Sequence, residues 1–181
     1  DVDCADIRVQ EGEAVSVSLS WNLSRYEMHY QVEDGLLKVE DESWGKGGGE
    51  NLNIDCKVIL TVPQGTHLDR LDLSTDMGDI QVDAGLTAEK AELSTDMGDV
   101  TSRGLSADEV SAESDLGEVV LHMPGSREDY TWDVGTSMGE ILVDGAKRNG
   151  GLGDIVDRGG SGEKSIEAYT SLGNIELHFS Q

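Results

Sequence analysis

The chain has 181 residues, a length that suits one domain or one domain with a capping subdomain. Its formal net charge is −24 and it has only 13 Lys and Arg, which argues against binding nucleic acid or anionic lipid, because both need cationic side chains. Aromatic residues make up 4% and there are 23 glycines, so many turns around a thin core are favoured over a conventional globule.

The first sixty residues alternate apolar and polar side chains without a sustained repeat. Residues 7–19 alternate as strands do, and residues 26–40 predict a hairpin around Asp34-Gly35, a strong turn signal. Residues 44–50 form a Gly-rich loop in this interpretation. We interpret residues 1–60 as N-terminal strands, a hairpin and an irregular β cap, which covers the open end of a repeat region.

That repeat region spans residues 61–181. The motif Leu-Ser-Thr-Asp-Met-Gly-Asp-Ile at 73–80 returns at 93–100 with one change, and three looser copies follow. The copies are centred on Gly78, Gly98, Gly117, Gly139 and Gly173. Their spacings are 20, 19, 22 and 34 residues, and the last gap holds a Gly-rich insertion at about 145–163, which we expect to be a mobile loop.

Aligned on the glycine, the copies show columns two residues apart, which is the strand period. Apolar columns stand seven and five residues before the glycine and two after it. The column three before is Thr75, Thr95, Ser114, Thr136 and Thr170, and the column one before is Met77, Met97, Leu116, Met138 and Leu172. We expect the glycine to supply positive φ, the Met or Leu to plug the corner of the core, and the hydroxyls to bond to one another or to the turn backbone.

This pattern predicts an all-β fold, a single-stranded parallel β-solenoid (β-helix) with coils of about 20 residues stacked roughly 4.8 Å apart. Such a coil is too short for a helical crossover. The cap and the repeats would form one structural unit, with Phe179 plugging the C-terminal end. The alternative is an antiparallel β-sandwich in which each Asp-Met-Gly-Asp is a hairpin tip.

The five copies, residues 32–39 and the apolar strand ending at Pro63 resemble the bacterial putative-adhesin family of β-strand-repeat proteins, a large domain-of-unknown-function family. The resemblance covers residues 5–180. It implies a β-solenoid in a secreted or envelope protein of bacteria. The resemblance also implies an extracellular or cell-envelope location, and because the chain starts abruptly at Asp1 without a signal peptide, we expect an anchor segment that is absent from this chain. The family offers no catalytic residues to carry over.

The acidic turns are the best candidate site in the sequence. If coils stack, carboxylates align in two columns and repel each other. The columns are Asp76, Asp96 and Asp115, and Asp79, Asp99 and Glu118. Calcium between the turns would relieve the repulsion, but the Gly-Gly-x-Gly-x-Asp repeat of calcium-binding β-rolls is missing. We favour solvated faces and Asx-turn roles, and expect no metal or cofactor residues, with calcium at Asp76, Asp79, Asp96 and Asp99 left open.

No catalytic set emerges either, so we expect no enzyme. Four scattered histidines suggest neither a metal cluster nor a nucleophile–base pair: His29, His67, His122 and His178. A polysaccharide-active hydrolase needs two carboxyls facing a groove, whereas the carboxylates here crowd at exposed turns, and Trp21, Trp44 and Trp132 form no sugar-stacking row. Cys4 and Cys56 permit one disulfide in an oxidising compartment, or are two unrelated buried thiols.

Two functions remain open beside the disfavoured hydrolase. One is a non-catalytic adhesin or interaction module, monomeric, which binds an unknown protein or glycan at the cell surface through the flat face of the solenoid. Its contact patch would include the outward apolar positions Val120 and Leu142. The alternative is the ectodomain of an envelope-stress or regulatory membrane protein. No run of 18 apolar residues is present to span a membrane.

Overall fold

The computed structural model describes residues 1–22, 27–42 and 55–180, which form strands joined by turns and one 3₁₀ turn at Arg127–Asp129. The strands are β1 (Asp6–Glu11), β2 (Ser16–Ser20), β3 (Glu27–Glu33), β4 (Leu36–Glu42), β5 (Lys57–Val62), β6 (His67–Met77), β7 (Ile80–Asp83), β8 (Thr87–Met97), β9 (Val100–Arg103), β10 (Ser106–Leu116), β11 (Val119–Pro124), β12 (Tyr130–Val143), β13 (Ala146–Gly160), β14 (Lys164–Leu172) and β15 (Ile175–Ser180). The predicted Gly-rich loop at 44–50 and Trp44 lie outside the described residues.

Each repeat forms one coil, built from a long strand, the glycine turn and a short strand. The coils are β6–β7, β8–β9, β10–β11, β14–β15 and the continuous β12, and neighbouring coils pair in parallel with the motif copies in register. The prediction of an all-β parallel solenoid is confirmed, and the sandwich alternative is wrong for this sheet.

The apolar columns that the alternation predicted do fill the core. The positions two residues after the glycine are all fully buried: Ile80, Val100, Val119, Ile141 and Ile175. The positions five and seven before are buried too, except Leu73, which is half-buried. Because the strand period fixes which face a side chain lies on, the core of the coils follows directly from the sequence.

The coils do not stack in chain order. The last coil, β14–β15, lies between β10–β11 and β12, so Ile166 pairs with Val110 on one side and with Trp132 on the other. We expected Phe179 to plug the C-terminal end, and this is wrong, because Phe179 pairs with Met123 one coil in from that end. Its ring packs against the ring of Trp132, with the centroids 5.8 Å apart.

The Gly-rich insertion is strand β13, which corrects the expectation of a mobile loop at 145–163. β13 runs antiparallel along β12 from Ala146 to Gly160. The connecting turn has positive φ at Asp144 (52°) and Gly145 (72°), as a two-residue hairpin loop requires. Glycine is needed in β13 because the Trp132 ring lies against it; a Cβ on Gly159 would be 2.1 Å from that ring.

The N-terminal segment supplies inner and edge strands. β1 lies between β5 and β7 and is parallel to both, while β2 runs antiparallel along the outer edge of β5. β3 and β4 form a separate hairpin whose turn, Asp34-Gly35, has positive φ at both residues, as predicted. Antiparallel strands, β2 and β13, are therefore the outermost strands at the two ends of this side of the stack.

Candidate functional site

The glycine of each turn is required by close stacking of the coils. A Cβ on Gly117 would lie 1.9 Å from the carbonyl oxygen of Gly98, and one on Gly173 would lie 1.8 Å from that of Gly117. Positive φ, which we expected throughout, occurs only at Gly78 (150°) and Gly98 (152°) among the five. The shared cause is therefore the approach of backbone to backbone.

The hydroxyl column serves the same turns. Thr95, Ser114, Thr136 and Thr170 are buried, and each hydroxyl donates a hydrogen bond to the carbonyl oxygen of the motif glycine in the neighbouring coil, at 2.8 to 3.0 Å. Of the two partners that the sequence left open, the turn backbone is the one used. Each of these bonds ties one turn to its neighbour and gives a buried hydroxyl its partner.

The side chain before each glycine points outward, which corrects our expectation that it plugs the core. Met97, Leu116 and Leu172 are each 45% exposed and Met138 is 49% exposed, while Met77 is half-buried. Leu152 of β13, 80% exposed, pairs with Met138 and extends the row. We call this row the turn ridge; in spatial order it is Met77, Met97, Leu116, Leu172, Met138 and Leu152.

Carboxylates line both sides of the turn ridge. The first acidic column, just before the ridge residues, is Asp76, Asp96 and Asp115, with Ser171 and Ser137 completing it. The second acidic column, just after the glycines, is Asp79, Asp99, Glu118 and Glu140, with Asn174 between the last two. Among the ion pairs of the described residues, Glu140 with Lys147 is the only one that involves these seven carboxylates. The ridge is thus apolar at its crest and negative on both flanks.

The second acidic column has a structural role that the sequence did not reveal. Asp99 accepts a hydrogen bond at its Oδ1 from the backbone N–H of Glu118 (2.8 Å), and Asp79 accepts one from the N–H of Asp99 (2.9 Å). Asn174 accepts one from the N–H of Glu140 and donates one to the Glu118 carboxylate. Carboxylates therefore tie successive turns together, which offsets part of their mutual repulsion.

Replacing Asp99 should separate its charge from its hydrogen bond. Asp99→Asn keeps the Oδ1 acceptor and removes one of the aligned charges, so we expect unchanged or higher stability. Asp99→Ala leaves the Glu118 N–H without its acceptor and should cost about 1 kcal/mol. Urea unfolding measures both, with Asp96→Ala as the matched control, since Asp96 lies in the same turn without such a bond. Equal losses in Asp99→Asn and Asp99→Ala would contradict the role of the acceptor.

The absence of a metal site at these turns stays a prediction, and we expect no specific effect of calcium. Two serines and Asn174 interrupt the columns, and the second column already binds backbone N–H groups. Calcium at millimolar concentration should raise the melting temperature no more than magnesium does, relative to chelator. A calcium-specific rise that disappears in Asp99→Asn would show that the turns are a metal site.

The structure gathers other titratable groups away from the turns. Among the described residues, His67, Asp69 and Glu89 place potential ligand atoms within 4.8 Å of one another, and all three are exposed. They lie at the end of β6 and β8 opposite the turn ridge. A second grouping unites two histidines that we described as scattered. His122 and His178 are paired on β11 and β15, and their rings stack with centroids 4.6 Å apart.

The stacked histidine pair should make stability depend on pH. Burial, the neighbouring His178 and Arg103 lower the pKa of His122 below its usual 6.5, although Glu176 opposes this. The unfolded chain then binds the proton more tightly, so the stability from neutral His122 is present above about pH 6.5 and is lost as pH falls below it. The free energy of unfolding of the wild type should fall relative to His122→Gln between pH 7 and pH 5. A difference in unfolding free energy between wild type and His122→Gln that does not vary with pH would contradict this. So would a His29→Gln variant whose pH dependence matches that of His122→Gln.

A groove of about 420 Å³ runs beside the turn ridge. Its lining includes Asp115, Ser171 and Ser137, which are the neighbours of three ridge residues, together with the half-exposed ring of Tyr169 and the carboxylate of Asp154. No His, Lys or Arg lines the groove. A nucleophile–base pair is therefore missing from this lining, which instead offers hydroxyls, carboxylates and one aromatic ring for contact with a partner.

The structure also shows where the proposed apolar contact patch and the two cysteines lie. Val120 and Leu142, proposed as a contact patch, are half-buried and stand on either side of Glu176, so they form no continuous apolar surface. Cys4 and Cys56 are buried free thiols. Burial, with Asp3 and Cys56 nearby, raises the pKa of Cys4 to about 11, which makes it a poor nucleophile.

Within the described ranges, none of the helical structure is long and apolar enough to cross a membrane.

Comparison with known proteins identifies a matching family and a similar fold. The family model of Toastrack DUF4097 matches residues 1–122. Among curated proteins, the comparison finds no match. The chain is similar to a solved structure of a putative cell adhesion protein from Clostridium sporogenes, with a TM-score of 0.66 and 16% identity over 99% of this chain and 91% of that chain. At this identity the likeness shows the fold alone. The chain also matches a putative adhesin from Bacteroides fragilis, with a TM-score of 0.36 and 12% identity over 97% of this chain and 90% of that chain.

Proposed function

Since this chain belongs to the Toastrack DUF4097 family, we propose that it is a non-catalytic interaction module of the bacterial cell surface, which contacts its partner through the turn ridge. The observation that carries the proposal is the row of Met and Leu side chains, one from every coil, of which all but the half-buried Met77 are exposed. Exposed apolar side chains that lie in a continuous row mark interaction sites, whereas single ones are ordinary.

Two observations support the absence of catalysis in this proposal. The groove beside the turn ridge is lined by no His, Lys or Arg, so its hydroxyls have no basic partner that would activate them as nucleophiles. In the second acidic column, the carboxylates of Asp79 and Asp99 are occupied as acceptors of backbone hydrogen bonds. The adhesion protein with the similar fold supports a surface role by its name only.

Photo-crosslinking tests where the partner binds. A photo-reactive amino acid replaces Leu116 on the turn ridge or, as control, Glu128 on the exposed 3₁₀ turn at Arg127–Asp129. Purified protein is illuminated on immobilised glycans and bacterial surface proteins. We expect adducts from position 116 that exceed those from position 128 at least tenfold, and that are competed by unlabelled wild type. Equal labelling from both positions would contradict the ridge as the contact surface, and turnover of a polysaccharide would contradict a non-catalytic module.

A further inference from the structure

We propose that the turn ridge binds an amphipathic α-helix whose apolar stripe is flanked by Lys and Arg; this deepens the proposed function and rests on it. The inference follows from the length and spacing of the ridge, the state of its backbone and the charge of its flanks.

The spacing of the turn ridge suits a helix laid along the stack. Its six side chains stand on directly paired strands, so neighbours are about 4.8 Å apart and the whole row is about 24 Å long. A helix presents one apolar side chain per turn of about 5.4 Å, and about 16 residues of helix cover 24 Å. Successive helical turns would therefore meet successive coils. Because Met is unbranched and flexible, the Met positions can absorb the small mismatch.

At four of the six positions of the turn ridge, the backbone excludes the other common mode, in which an extended segment adds a strand. Strand addition needs free N–H and C=O groups at a sheet edge. The carbonyl oxygens of Met97, Leu116 and Leu172 already accept hydrogen bonds from glycine N–H groups of the next coil, at 3.0 Å. The carbonyl of Met138 accepts one from Gly173 in the same way. Side chains alone are left for recognition, as in the binding of amphipathic helices.

The negative charge beside the turn ridge indicates which side chains flank the apolar stripe of the partner helix. Seven carboxylates line the ridge, and among the described ion pairs only Glu140 has a Lys or Arg partner. A partner with Lys and Arg beside its apolar stripe gains from both acidic columns, and steering by the field of a −24 chain speeds its approach. A second copy of this chain or an anionic membrane would be repelled by the same field.

The probe is a fluorescein-labelled 18-residue peptide of Leu and Lys, with Leu at helical spacing. Two comparison peptides keep the length: one alternates Leu and Lys as a strand does, and one carries Glu in place of Lys. Fluorescence anisotropy measures their Kd for the wild type, for Met97→Ser/Leu116→Ser and for Val32→Ser. The last is a matched control, because Val32 is 68% exposed on the separate β3–β4 hairpin.

We expect the helical Lys peptide to bind the wild type at least tenfold more tightly than either comparison peptide. The ridge double variant should raise its Kd at least tenfold, Val32→Ser should leave it unchanged, and higher salt should weaken it. Since the double variant changes no charge, unspecific attraction of a cationic peptide would survive it, and equal Kd values for the three proteins would overturn the proposal. Tighter binding of the alternating peptide than of the helical peptide would also overturn it. The same holds if the wild type binds zwitterionic vesicles and the double variant does not. If either of those two outcomes occurs while crosslinking still gives adducts at position 116, a helical partner is rejected and the proposed function stands. If crosslinking labels positions 116 and 128 equally, the proposed function itself is rejected.

Discussion

Replacing Gly117 with alanine should destabilise the protein by about 3 kcal/mol, although alanine adds one methyl group and residue 117 does not have positive φ. The new Cβ would lie 1.9 Å from the carbonyl oxygen of Gly98 and 2.6 Å from its carbonyl carbon. Neither atom can move alone, because Gly98 is hydrogen-bonded through both its N–H and its C=O. The stacked turns must separate locally, and this breaks the hydrogen bonds between them.

Chemical denaturation with near-ultraviolet and far-ultraviolet circular dichroism measures this loss. Gly35→Ala is the control, because Gly35 has φ of 83° but nothing lies within 4 Å of a Cβ placed there. It should cost about 1 kcal/mol from conformational strain alone. A smaller loss in Gly117→Ala than in Gly35→Ala would mean that the coils are not stacked as closely as described. A larger loss would identify close approach, more than backbone conformation, as the reason for the glycine column.

Ending the chain at residue 162 should abolish cooperative folding. In a solenoid stacked in chain order, this truncation would remove one terminal coil and leave the others intact. Here it removes the coil between β10–β11 and β12, so the paired edges on both sides are exposed. Ile166, Ile175 and Leu177 are fully buried and each contributes about 1.5–3 kcal/mol. Their sum reaches the range of a whole domain's stability, about 5–15 kcal/mol.

Complementation distinguishes this arrangement from simple stacking. A synthetic peptide of residues 163–181, added to the truncated protein, should restore the thermal unfolding transition, because it fills a gap with two sides. The same peptide with Gly173→Val should fail, since a Cβ at that position would lie 1.8 Å from the carbonyl oxygen of Gly117. A truncated protein that melts cooperatively within a few degrees of the full chain would show that the last coil is terminal.

Some differences between expectation and structure could have been found in the sequence. Asp144-Gly145 is the same dipeptide as Asp34-Gly35, and it marks the hairpin that we expected to be a loop. Asn174 is the one amide in a column of acidic residues, which indicates that its coil lies between two coils that carry carboxylates. This is where β14–β15 lies, with Asn174 hydrogen-bonded to Glu118 on one side and to Glu140 on the other. The histidine pair had no such signal, because His122 and His178 are 56 residues apart in the sequence and meet only through the pairing of β11 with β15.

The fold class, the length of the coils and the buried columns along their strands all follow from the order of the residues. Alternation with a period of two fixes which side chains face inward, and a glycine at the same place in five copies fixes where each coil turns. Tertiary structure alone decided the order of the coils, because all five copies carry the same local motif and any of them can pair with any other. It also decided that the side chains of the turn ridge face outward. At the last position before a turn the period no longer holds, and stacking of the glycines directs Met97, Leu116 and their counterparts outward.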